Sequence, residues 1–74
     1  MNLPLCQLPI GATGRVHSLV GDPGFCQRVR ELGFVESVSI AKIAGHGPFL
    51  LQVNGARLGL SQAAAEKVIV TLVS

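Results

Sequence analysis

Tryptophan and tyrosine are absent from this 74-residue sequence, and three phenylalanines are its only aromatic side chains. Bases of a nucleic acid would find almost nothing to stack on. The basic residues are few and scattered, at Arg15, Arg28, Arg30, Lys42, Arg57 and Lys67, and the formal net charge is only +2. A concentrated basic face is therefore missing, and nucleic acid is not an expected partner. Cysteine is scarce too. Cys6 and Cys26 have neither the close spacing of a zinc ribbon nor the density of a secreted disulfide scaffold. They read as reduced thiols packed like small hydrophobes in a cytoplasmic protein, with a single bridge as the alternative. No stretch approaches the ~18 consecutive apolar residues of a membrane span, and no basic segment precedes the N-terminal apolar residues as in a signal peptide. HExxH, GxxxxGK[ST] and a nucleophile elbow are all missing, so no base, nucleophile and orienting group can be assembled and no enzyme is expected.

What is there is apolar: 49% of the residues are hydrophobic against 14% charged, which excludes intrinsic disorder. The length bounds the chain to one unit over residues 1–74. Residues 1–14 are uncharged and carry Pro4, Pro9, Gly11 and Gly14, so they form a leading segment that lays leucines on the core, with room for one short strand. Arg15 to Val20 is the first clear strand, ended by Gly21.

A helix follows from Pro23 to Leu32. Asp22 is a good N-cap, Pro23 suits the first helical position, and Gly33 stands where a left-handed stop belongs. Phe25, Val29 and Leu32 fall at i, i+4 and i+7 and are expected to face the core, with Gln27, Arg30 and Glu31 in water and Arg28 bordering the stripe. The rest reads as strand: Ser37 to Ala44, Phe49 to Val53, Arg57 to Leu60 and Val68 to Val73. Asn54-Gly55 between two of these runs predicts a type I′ hairpin, whose central residues both need φ > 0. Ser61 caps a short helical turn through Ala63-Ala64-Ala65 before the last strand. About five short strands with one covering helix predict a mainly β fold, a small SH3-like antiparallel barrel, ahead of an OB-fold with its longer strands and loops.

At this point the chain resembles the FeoA family, small cytoplasmic proteins of bacterial ferrous iron uptake with an SH3-like domain. The resemblance rests on Gly14-Arg15-Val16, Gly21-Asp22, Arg28-Val29-Arg30-Glu31-Leu32-Gly33-Phe34, Val53-Asn54-Gly55 with Leu58-Gly59-Leu60, and Ala65-Glu66-Lys67-Val68-Ile69-Val70. Glu36-Ser37 departs from it, standing where members often have Pro-Gly. The resemblance implies a non-enzymatic accessory that docks on the cytosolic part of FeoB, a ferrous iron transporter with a GTP-binding domain, and meets the membrane only through it. A similar domain ends some iron-dependent repressors, which leaves a metal-responsive regulatory module as the alternative.

Two surfaces could carry such a function. A polyproline groove of the eukaryotic SH3 kind needs stacked Tyr and Trp rings and is excluded. The last strand, however, is largely apolar on both sides, Val68, Val70 and Leu72 on one and Ile69, Thr71 and Val73 on the other. Either the helix or the leading segment covers the second side, or an apolar patch is left to dock a partner or a second copy as a homodimer. The helix and its exit, Gln27, Arg28, Arg30, Glu31 and Phe34, are the expected partner surface. Metal ligand types occur at Cys6, Cys26, His17, His46, Asp22 and Glu36, at spacings that match no known site. No cofactor is required on this reading. If a divalent transition metal binds, Fe2+ or Zn2+, a dimer-bridging site at His46 or His17 is the expected form, because two protomers double the ligand count.

Overall fold

The computed structural model describes residues 1–45 and 47–73. Six strands form one antiparallel sheet: β1 (Asn2–Pro4), β2 (Thr13–Leu19), β3 (Ser39–Ala44), β4 (Phe49–Val53), β5 (Ala56–Leu60) and β6 (Val68–Val73), in the order β1-β6-β2-β3-β4-β5. The helix α1 (Pro23–Glu31) joins β2 to β3, and a single helical turn, α2 (Gln62–Ala65), precedes β6. Alternation decides which side of each strand is inside. Val16 on β2, Ile40 on β3, Phe49, Leu51 and Val53 on β4, Leu60 on β5, and Val68 and Val70 on β6 all enter one buried cluster. Strands from both ends of the order share that cluster, so the sheet must curl around it as a small barrel does.

The sixth strand is the short one for which the leading segment had room. β1 pairs with β6 through Leu3↔Val70, and a 3₁₀ turn at Leu5–Gln7 then drops Leu5 and Leu8 fully into the core. The leading segment thus extends the sheet and fills its interior instead of lying over the second side of β6. Toward the end of β6, Leu72 and Val73 stay about two-fifths exposed.

Local chemistry explains the turns. Asn54 (φ 52°) and Gly55 (φ 80°) both take the left-handed conformation between Val53 and Ala56, which face each other, as a type I′ hairpin demands. Ser37 also has positive φ, 71°, so it cannot open a strand, and β3 starts at Ser39 instead of Ser37. Here serine adopts a conformation that glycine takes at no steric cost.

Lysine 42 was not expected inside, yet it is only 5% exposed on the inner side of β3. Its ammonium donates to the Cys6 carbonyl at 3.0 Å and stands 4.0 Å from the centre of the Phe49 ring. The two contacts tie the 3₁₀ turn to β3 and β4 and replace part of the water the ammonium has lost.

Candidate docking groove

Asp22 starts α1 by accepting the Phe25 N–H at 2.8 Å, with Pro23 in the first turn. That hydrogen bond, helped by the nearby Arg28 guanidinium and opposed by desolvation, holds the Asp22 carboxyl below its ordinary range. The helix ends in a Schellman motif. Gly33 (φ 114°) donates to Arg30 at 2.9 Å and Phe34 donates to Val29 at 3.2 Å, the paired 5→2 and 6→1 bonds that satisfy the last carbonyls.

This ending corrects two expectations. Phe34 is the residue after the left-handed glycine, and that position packs back on the last turn, here beside Val29; its ring is 0% exposed. It is a core anchor and cannot touch a partner. Leu32, expected in the core stripe, is 52% exposed. The helix buries Cys26 and Val29, which centres its inner face on the side of Val29 away from Leu32.

An apolar groove results. Phe25, Val29 and Leu32 of the helix and its cap form one wall, Leu60 at the end of β5 and Ala64 of α2 the other, and Arg28 and Glu31 stand on the rim around a volume of about 440 Å³. Each wall is fixed from behind. Lys67 places its ammonium 5.2 Å from the Phe25 ring centre, and a Cβ at Gly21 would come within 3.1 Å of that ring. Ser61 accepts the Ala64 N–H at 3.2 Å and so starts α2 at the groove edge. Of the helix residues expected to meet a partner, Arg28 and Glu31 line this groove; Gln27 and Arg30 are exposed on the helix but do not. The missed members are Phe25, Val29 and Leu32, expected in the core stripe, and Leu60 and Ala64. The signal for Leu32 was its place one residue before the glycine stop, at the end of the helix, where little sheet remains to cover it.

Of the two proposed ligand residues, only His17 lies among the described residues. His17 is exposed and is the extra residue of a β-bulge between Val16 and Ser18, with its Nδ1 3.2 Å from the Ser18 hydroxyl. His46 lies outside the described residues. Both thiols are free, Cys26 buried and Cys6 half-buried. Among the described residues no three His, Cys, Asp or Glu side chains come together as a metal site within one chain would require.

The FeoA domain family matches residues 3–72. The chain belongs to the FeoA family. FeoA proteins are in general non-catalytic accessories of iron uptake, and this chain takes its place among them. A crystal structure of an iron uptake regulatory protein, also a FeoA, superimposes with a TM-score of 0.92 at 25% identity, covering 99% of each chain. The zinc-complexed FeoA of Stenotrophomonas maltophilia, a prokaryotic SH3 domain protein, is 31% identical, with a TM-score of 0.81 over 92% of this chain and 88% of that one. The SH3-like fold is therefore the fold of this chain. A manganese-dependent transcriptional repressor shares it at 20% identity and a TM-score of 0.87, over 97% of this chain but 42% of its own, which is a likeness of fold alone. A comparison with curated protein sequences gives no significant match. Among the described residues no helix is long and apolar enough to cross a membrane.

Proposed function

We propose that this FeoA protein works in the cytoplasm by docking on the cytosolic part of a FeoB-like ferrous iron transporter, and that the groove between α1 and the β5–α2 corner is the docking surface. The half-exposed Leu32 on an otherwise apolar groove carries the reading, because a leucine on a rigid helix cap gains nothing from water. Arg28 and Glu31 on the rim, of opposite charge, would set the register of a partner segment that brings the reverse pair. Family membership supports this choice of partner, and the relative from Stenotrophomonas maltophilia has been proposed as a ferrous iron transport activating factor.

The test is binding of the purified chain to the FeoB cytosolic domain with and without ferrous iron. Docking that is indifferent to metal and weakened at least tenfold by Leu32→Glu supports the proposal. Docking untouched by Leu32→Glu overturns the groove, and absence of docking overturns the partner. The rival, a metal-responsive module, draws on the zinc complex of that relative. It predicts metal uptake without docking, with His17 and His46 bridging two copies, so that zinc raises the sedimentation coefficient of the wild type but not of His17→Ala.

A further inference from the structure

All four acidic residues lie off the sheet: Asp22 caps α1, Glu31 ends it, Glu36 is in the loop before β3, and Glu66 follows α2. The outward side of the curled sheet is left without a negative side chain. Register places Thr13, Ala41, Gln52 and Arg57 in one row across β2, β3, β4 and β5, and Arg15 beside Ser39 in the next. A shallow depression of about 340 Å³, lined by Thr13, Ser39, Ala41, Gln52, Asn54 and Gly55, lies between the two arginines. Hydroxyl and amide groups floor it, and exposed Arg15 and Arg57 flank it.

From this arrangement we infer a second docking face, which takes an extended acidic segment of a protein. Strand spacing and rise put the two arginine Cα atoms roughly 15 Å apart, three strands across and two residues along. One phosphate cannot reach both. An extended peptide presents side chains of one face every second residue, and carboxylates four positions apart span about 13 Å. The face therefore matches a pattern of Asp or Glu, three intervening residues, then Asp or Glu, with the polar floor available to the backbone and neutral side chains between. A nucleic acid fits poorly because the lining of the depression holds no ring: Phe34 and Phe49 are in the core and Phe25 is in the groove. This face shares no residue with the groove, so it stands whether or not the transporter docks there.

The test titrates the isotope-labelled chain with a capped twelve-residue Ser/Thr peptide carrying Glu at positions 4 and 8, alongside its Gln counterpart and an oligothymidylate of equal charge. Amide shifts confined to Thr13, Arg15, Ser39, Gln52 and Arg57, with Phe25 and Leu32 unmoved, support the inference. So does a loss of about tenfold in affinity for the Gln peptide and for the Arg15→Glu/Arg57→Glu chain, with Arg30→Glu unchanged. Equal binding of the Gln peptide, shifts centred on α1, or tighter binding of the oligothymidylate to this face would overturn it. The peptide comparison needs no variant and so remains decisive if the double substitution unfolds the chain.

Discussion

Replacing Lys42 separates what its ammonium contributes from what its stem contributes. The ammonium loses nearly all its water, at a cost of several kcal/mol, and recovers about 1.5–3 kcal/mol from the bond to the Cys6 carbonyl and up to ~2 from the Phe49 ring. These nearly cancel. The carbon stem has no such offset: three methylenes beyond Cβ, at about 0.8 kcal/mol each, contribute about 2.4 kcal/mol, before any cavity is counted. Lys42→Met keeps an unbranched apolar stem of similar volume and leaves only the half-buried Cys6 carbonyl short of a donor, so it should cost about 1 kcal/mol. Lys42→Ala should cost about 3. For a domain of this size each kcal/mol moves the melting temperature by about 4–8 °C, so thermal melts resolve the two variants, and urea melts with unchanged slope confirm that both remain two-state. If Lys42→Met falls as far as Lys42→Ala, the ammonium contacts hold the 3₁₀ turn in place and the cancellation is wrong. If both variants melt like the wild type, the side chain is not buried.

The other predictions concern the helix and its flanks. Phe34→Ala should destabilise by about 3–5 kcal/mol, enough to unfold much of a small domain; an unchanged urea midpoint combined with lost transporter binding would return Phe34 to the partner surface. Ser37→Gly relieves a left-handed conformation that costs a side chain about 1–2 kcal/mol and returns part of that through the more flexible unfolded chain. A melting temperature a few degrees higher is expected, and a lower one would argue against the φ at Ser37. The lowered Asp22 pKa means that its contribution is complete above the ordinary 3.8 and is lost as pH falls through the lower folded value. Asp22→Asn should therefore melt below the wild type at pH 7, with the gap narrowing as the pH is taken into acid; a gap of the same size at every pH would show that the charge plays no part.

The sequence was most legible where one residue type answers one local need. Asp22 and Pro23 started the helix, Asn54-Gly55 made its hairpin, and Ser61 capped α2 because each pattern satisfies a backbone requirement that tertiary packing does not override. Strand interiors were legible for the same reason, by alternation. Lys42 was hidden because alternation does not distinguish a lysine on the inner side with a buried partner from one on a solvated edge; the partner, the Cys6 carbonyl, lies 36 residues away. Ser37 was hidden because serine carries no sign of positive φ. Of the residues expected to meet a partner, Arg28 and Glu31 line the groove, but its opposite wall, Leu60 and Ala64, comes from distant sequence that only the fold brings near.

Phe34 and Leu32 exchange their expected places for one reason. A helix that stopped at an ordinary loop could have kept Leu32 over the sheet, since a further half turn would lie along the core. The left-handed Gly33 turns the chain back instead, and the two Schellman bonds commit the next residue, Phe34, to the space under Val29. Leu32, on the side of the helix away from Cys26, is left in the groove wall facing Leu60 and Ala64. The groove is thus a consequence of how the helix ends, and its shape and domain stability are coupled through Gly33. Gly33→Ala puts a side chain at φ 114°, with its Cβ 3.4 Å from a Val53 methyl. Relief of that strain means unwinding the motif, which withdraws Phe34 and moves Leu32 together. Stability and transporter affinity should fall in step in that variant, whereas Leu32→Glu should lower affinity alone.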